Sequence, residues 1–239
     1  MEPRQVKAGQ GWQWIVDGFG LFKKSPVIWV VLFIILLLIA IALNFIPLLG
    51  PLVLYILTPV FAGGLMLGCK AQQNGQELEI MHLFAGFKKN TNALIVLGGV
   101  YLVGQIFIFG VMFLLGGSAM FSMMIMGGQP DFAAMTASMS GMLLAVLVAL
   151  ALYVPLAMAL WFAPALAVFN DAQPVAALKT SFNACLKNIV PFLVYGIVLL
   201  VLSIIAAIPF GVGLLVLVPV IFASVYTGYR DIFPQGGNP

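Results

Sequence analysis

The chain has 239 residues, of which 63% are hydrophobic and 7% charged, and its formal net charge is +3. A soluble domain carries roughly a quarter charged residues, so this composition excludes a water-exposed globular fold and points to a protein solvated by lipid. The length therefore bounds a number of membrane spans, and the small positive charge suits anionic headgroups better than nucleic acid.

In chain order, a polar and interfacial stretch precedes the first apolar run, Val27 to Ile46, which holds no charge. That stretch lacks the short basic head, short apolar core and A-x-A-like site of a cleaved signal peptide, so it is expected to stay in the mature protein. Further apolar runs cover Leu52 to Leu67, Ala93 to Leu115, Met142 to Val168, Ile189 to Ile208 and Val212 to Tyr229. A helix needs about 17 to 25 such residues to span. A membrane barrel would alternate apolar and polar residues over stretches of about ten, whereas these runs are apolar on every face. The expected fold is all-α and polytopic, with six transmembrane helices.

Every Lys and Arg falls on one side of this layout. Arg4, Lys7, Lys23 and Lys24 precede span one, and Lys70, Lys88 and Lys89 lie between spans two and three. Lys179 and Lys187 lie between four and five, and Arg230 follows six. Basic residues near span ends are held in the cytoplasm, so both termini are expected there. Lys23, Lys24, Lys88, Lys89, Lys179 and Lys187 become candidates for contact with anionic headgroups. Cys69 and Cys185 then face a reducing compartment and are expected to be free, buried thiols.

The phrase "FGLFKKSP" at residues 19–26 is echoed by "FAGFKKNT" at 84–91 and by "FNACLKNI" at 182–189. Each phrase ends a short amphipathic helix and begins a span. The predicted apolar faces are Ile15, Phe19 and Phe22 with Trp12, then Ile80, Leu83, Phe84 and Phe87, then Val175, Leu178, Phe182 and Cys185. The opposite faces carry Glu79, His82, Gly86 and Lys89 in the second helix and Lys179, Asn183 and Lys187 in the third. Pro59, Pro155 and Pro219 each stand several residues inside the second span of a unit, where a proline frees a carbonyl and bends the helix.

The chain thus reads as three parallel repeats of interfacial helix, straight span and kinked span, over about residues 10–75, 76–170 and 171–233, with a flexible tail at 234–239. Units of one orientation are related by an axis along the membrane normal. A pseudo-threefold ring of hairpins with a cytoplasmic collar is the expected arrangement. The small-residue stretches "AGGLMLG" and "LGGVYLVG" are expected at close helix contacts.

Unit two alone carries a long outer loop, residues 116–141, with Met120, Met123, Met124, Met126 and Asp131. Thioether sulfurs bind Cu(I), but methionine is also a flexible apolar filler, and no His or Cys lies on that side. The loop is a candidate lid, and no metal or other cofactor is expected. Coupled transporters keep an ionisable group in the membrane interior, and none of the spans holds one. Thr58, Gln105, Tyr153 and Ser224, with Pro59, Pro155 and Pro219, are the ligand or pore candidates, and hydrogen bonding between helices is their competing role. No nucleophile with a base, carboxylate pair, metal-ligand set or phosphate loop is present, so the chain is not expected to be an enzyme.

The segments "GWQWIVDGFGLFKKSP", "TPVFAGGLMLG", "LFAGFKKN", "LWFAPALAVFND", "SFNACLKNIVPFLVYG" and "YTGYRDIF" resemble a family of six-span bacterial inner-membrane proteins over nearly the whole chain. They are similar, more distantly, to the YciC type and to the membrane domain fused to some glycerophosphodiester phosphodiesterases. The resemblance implies a multi-pass location in the bacterial inner membrane and an intact helical bundle. This chain has no phosphodiesterase catalytic domain, so that chemistry does not follow. The functional expectation is a non-enzymatic integral membrane protein that binds or scaffolds an apolar ligand (a lipid or hydrophobic peptide), a partner membrane protein or a second copy of itself. The alternatives are an uncoupled channel or facilitator for a small neutral solute, and Cu(I) handling by the Met-rich loop.

Overall fold

The computed structural model describes residues 2–117 and 132–234. The described residues are all-α with no strand among them. Six helical stretches are long and apolar enough to cross a membrane, namely Pro26–Asn44, Leu49–Gln73, Thr91–Gly116, Met139–Asn170, Ile189–Ala207 and Leu214–Ile232. The protein is a polytopic helical membrane protein.

Helix α1 (Gln10–Lys24) stops at Ser25, whose φ of −149° takes it out of the helical region. Pro26 enforces this, because its ring disfavours the helical state at the residue before it. The same proline, with its missing N–H, opens α2 (Pro26–Asn44). A tight turn through Pro47 and Leu48, the latter at φ 64°, leads into α3 (Leu49–Gln73). A 3₁₀ helix (Ile80–Phe87) follows, opened by a reciprocal cap. The Glu79 N–H donates to His82 Nδ1 at 3.0 Å while the Glu79 side chain accepts the His82 backbone N–H. His82 is therefore a capping residue. Beyond it run α4 (Thr91–Met112), a π-helical turn (Phe113–Gly117) and α5 (Phe132–Trp161). The chain finishes with α6 (Ala163–Asn170), α7 (Pro174–Lys187), α8 (Ile189–Ala207) and α9 (Leu214–Ile232).

The chain divides into two compact units, residues 1–99 with 158–239, and residues 100–157. In the smaller unit Gln105, Ile108, Ala145 and Ala149 are buried. Gly104 lies against Leu156 and Gly116 against Ala145, so α4 and α5 approach through small residues.

In the larger unit the core runs through Trp14, Trp29, Leu65, Leu94, Phe162 and Tyr229. Half of the membrane stretches of α3 and α9 is buried, against 11% of α2 and 17% of α8. Composition explains the contrast between α2 and α3. α2 is a run of Leu, Ile and Val that lipid solvates as well as protein does, whereas α3 carries Gly50, Gly63, Gly64 and Gly68, which let backbones approach. Gly63 meets Val168 and Leu94, Gly68 meets Leu78, and a Cβ on Gly98 would strike the Ile56 carbonyl. The stretch "AGGLMLG" and, in "LGGVYLVG", Gly98 and Gly104 are thus at contact surfaces. Gly99 faces open space.

The three short helices dock on neighbouring spans, and their buried faces differ from those expected. Helix α1 buries Gly11, Trp14, Ile15, Gly18, Leu21 and Phe22, while Trp12 and Phe19 are exposed. Its glycines decide this, since Gly11 abuts the Pro191 carbonyl on α8 and Gly18 abuts the Ser224 backbone on α9. The second element is 3₁₀ and not α. With three residues per turn, residues three apart share a row, and the buried pair is Leu83 and Gly86. Gly86 abuts the Val60 carbonyl on α3, and Ile80 and Phe87 are exposed. Helix α7 buries Ala177, Ser181, Ala184 and Cys185, and Val175 is exposed.

Pro59, Pro155 and Pro219 lie inside α3, α5 and α9. The fourth membrane stretch has a break that the apolar pattern did not signal. Helix α5 ends at Trp161 because Pro164 cannot supply a helical N–H and crowds the preceding turn. Ser181 of α7 fills the gap. Its hydroxyl accepts the Phe162 N–H at 2.9 Å and donates to the Met158 carbonyl at 2.7 Å, taking the place of one direct rung between those two groups.

Candidate functional site

In the larger unit Thr58 and Ser224 stand in different surroundings. Thr58 is exposed, and its hydroxyl bonds back to the Leu54 carbonyl at 2.8 Å. Ser224 is buried beside Pro219, with its hydroxyl 2.7 Å from Tyr195 OH and donating to the Ile221 carbonyl. Pro59 is buried as well. In the smaller unit Tyr101 hydrogen-bonds to both Gln105 and Tyr153, while Pro155 is exposed. The structure therefore brings together Gln105 and Tyr153 and, separately, Ser224 and Tyr195. Met120, Met123, Met124, Met126 and Asp131 lie outside the described residues.

Most of the basic candidates are committed to the protein itself. Lys23 lies over the Phe19 ring at 5.2 Å, and Lys24 donates to the Gln72 carbonyl at 3.2 Å. Lys89 pairs with Asp171 at 3.1 Å, and Lys187 reaches the Pro3 carbonyl at 3.4 Å. Lys88 and Lys179 are exposed. Exposed pairs of this kind add little stability, but they tie the helix ends together.

Polar order is densest at the end of the larger unit that carries the termini. Asp231 takes Arg4 as an ion-pair partner and the Trp14 indole N–H at 2.9 Å. Asn188, fully buried, accepts the Val6 N–H at 2.9 Å and donates to the Arg4 and Ala184 carbonyls. Trp29 donates to Gln72 Oε1 at 3.1 Å, leaving Gln72 Nε2 buried without a hydrogen-bond partner. Tyr226 OH donates to Gln73 Oε1 at 2.7 Å, and Tyr229 OH to Asn170 Oδ1 at 2.5 Å.

Two of the cavities at this end share Gln73, Tyr226 and Arg230 as a common wall. The larger, about 720 Å³, is bounded by α1 and α9 and includes Arg4, Asp17, Lys23, Lys24 and Asp231. The smaller, about 360 Å³, lies among the ends of α3, α6 and α9. Lys70, Gln73, Asn74, Phe169, Tyr229 and Arg230 line it, with the Lys70 ammonium 5.2 Å over the Phe169 ring. By contrast, the cavity at membrane depth between Trp29, Leu32, Leu65 and Pro219 is about 10 Å³. It is too small for more than one water.

Sequence reasoning used Lys70 and Arg230 only to orient the chain and passed over Gln73 and Asn74. A signal was available, because Lys70 and Arg230 stand at the same distance along the chain from Pro59 and Pro219.

A probable inner membrane protein of Burkholderia thailandensis is 30% identical to this chain, and the match covers 98% of this chain and 94% of that protein. The chain belongs to this family of inner membrane proteins. No family model and no solved structure matches it. The likeness runs through all of the spans and not one segment, so it carries the polytopic inner-membrane assignment for the chain as a whole.

Proposed function

We propose that this protein is a non-enzymatic inner-membrane binding module, built of three parallel repeats with both termini in the cytoplasm, and that its ligand is a lipid held at the basic end. The observation that carries the reading is the distribution of space in the larger unit. Within the spans the cavity between Trp29, Leu32, Leu65 and Pro219 is about 10 Å³, while cavities of about 360 and 720 Å³ open among cations and aromatic rings at the basic end. Such volumes suit a small ligand.

The repeat reading is supported by a cyclic pattern of contacts. The short helix of the first repeat docks on α9 of the third, that of the second on α3 of the first, and that of the third on α6 of the second. Aligned positions make the contacts, since Gly18, Leu83 and Ser181 each stand one residue before the repeated phrase and each touches the turn after a proline. The turns at the opposite end also correspond, with Pro47 and Leu48 matched by Pro209 and Phe210, both second residues at positive φ. The cytoplasmic placement of the termini is supported by the confinement of all Lys and Arg to that end.

Native mass spectrometry after mild extraction, paired with solute flux in liposomes, tests the binding reading. The expected result is a retained lipid and a flux of small neutral solute no faster than through empty liposomes. Solute flux above that background, with no lipid retained, would favour a facilitator. A stoichiometric protein in place of lipid would favour a scaffold.

A further inference from the structure

The smaller cavity has a chemistry of its own. It sits where the second spans of the three proposed repeats end, and Gln73, Phe169 and Phe233 line it from equal distances beyond Pro59, Pro155 and Pro219. Lys70 and Arg230 correspond in the same way, and the third matching position is the buried Leu166. The site is thus a shared position of three units at which two carry a cation and one an apolar wall.

Its charged groups are cations. Tyr226 commits the Gln73 carbonyl oxygen, which leaves the two hydrogens of Gln73 Nε2 for the cavity. Tyr229 spends its own hydrogen on Asn170. Lys70 contributes an ammonium and Arg230 a guanidinium, and among the described residues no carboxylate lines the cavity. Asp231, next to Arg230 in the chain, is turned to the larger cavity and held by Arg4 and Trp14. A cavity lined by two cations and the free Gln73 amide hydrogens selects an anion offering several acceptor oxygens. The forked guanidinium beside a compact ammonium matches a phosphoryl group better than a single carboxylate. A volume of about 360 Å³ holds one headgroup and excludes a protein segment.

We infer that the cavity bounded by Lys70, Gln73, Asn74, Phe169 and Arg230 is a phosphoryl-binding site, for either a lipid headgroup or a soluble phosphate. This rests on the binding reading above and specifies its ligand. Lipid phosphates lie at the level where membrane helices end, and soluble phosphates reach the same opening from water.

The test uses the full-length protein in detergent micelles, with phosphatidylglycerol and inorganic phosphate as separate probes. Lys70→Gln and Arg230→Gln are each compared with Lys7→Gln, an exposed lysine that lines neither cavity and is matched for charge. The loss of one charge-assisted contact predicts binding about tenfold weaker or more in either site variant. Lys7→Gln should stay within about twofold of wild type by the weak, screened action of a distant surface charge. Arg230→Lys, which keeps the charge and loses the fork, should fall between. Selective loss for phosphatidylglycerol supports a headgroup, and selective loss for inorganic phosphate supports a soluble ligand. Equal weakening by Lys7→Gln overturns the site in favour of diffuse surface charge. A ligand retained unchanged by both site variants overturns the site and leaves the binding reading standing, whereas no retained ligand of either kind overturns both.

Discussion

The Ser181 hydroxyl stands inside a backbone rung of another helix, accepting the Phe162 N–H at 2.9 Å and donating to the Met158 carbonyl at 2.7 Å. Both the hydroxyl and Phe162 are fully buried. One side chain thereby meets a donor and an acceptor freed by the break before Pro164, the Met158 carbonyl also accepting the Cys185 thiol at 3.6 Å. Ser181→Ala should destabilise the protein by about 1–2 kcal/mol, less than an aqueous core would lose, because unfolded membrane helices find other partners. Ser181→Cys should cost less, since a thiol keeps a weak donor and acceptor. Reversible unfolding in mixed micelles measures both. An unchanged midpoint for Ser181→Ala would mean that the Phe162 and Met158 groups pair without it.

A second prediction compares two glycines of the larger unit. A Cβ on Gly86 would collide with the Val60 carbonyl, whereas a Cβ on Gly99 would meet nothing within 4 Å. Gly86→Ala should force the 3₁₀ helix off α3 and cost about 1–3 kcal/mol, the range for overpacking. Gly99→Ala should be neutral or stabilising by up to about 1 kcal/mol, because alanine favours the helix. The same unfolding measurement decides. A Gly99→Ala protein as damaged as Gly86→Ala would refute the docking geometry.

The unequal success of sequence reading has one physical source. Lipid demands long apolar runs with no exposed backbone, so the spans are legible from composition, and the expected spans end within about six residues of the apolar stretches found. Lipid also erases the contrast between inside and outside. Phe19, Trp12 and Val175 are apolar and exposed, while Gly11, Gly18, Ser181 and Ala184 are small or polar and buried. A rule that seeks the most apolar face therefore finds Ile15, Phe22, Leu83 and Cys185 but misses the small residues that make the contacts. The 3₁₀ geometry of residues 80–87 escaped for a different reason, since its period differs from that of an α-helix by less than one residue per turn. The candidate site was harder still. Lys70 and Arg230 are far apart in the chain, and only the docking of α3 and α9 ends around Phe169 makes them neighbours of one cavity.

Cys185 supplies a prediction about pH. It is buried on α7 outside the membrane stretches, and burial pushes its thiol from an ordinary value near 9 up to about 12. The thiolate is the reactive form, so alkylation of Cys185 at pH 8 should be at least about 100-fold slower in the folded protein than in the unfolded chain. The sign for stability follows from proton counts. Between pH 9 and pH 12 the unfolded thiol has lost its proton and the folded one has kept it, so the thiol's contribution to stability falls as pH rises through that window. Cys185→Ala should flatten that alkaline loss. Rapid labelling of native protein at Cys185, read by mass spectrometry of its peptide, would contradict the packing of α7.

The last prediction concerns orientation. All Lys and Arg lie at the end that carries the termini, and such residues resist translocation when they flank a span. A phosphatase reporter fused at Gln129 should be active outside the inner membrane, and a fluorescent protein at the C-terminus should mature inside. Parallel repeats demand this result, because each unit crosses twice and returns to its starting side. Reporters on one side would remove an odd number of crossings between Gln129 and the C-terminus, and the equivalence of Pro59, Pro155 and Pro219 would fall with it. Reporters on opposite sides but inverted would keep the repeats and move the cavity at Lys70 and Arg230 to the outer leaflet. The alkaline phosphatase and fluorescence assays together thus separate a wrong fold from a wrong orientation.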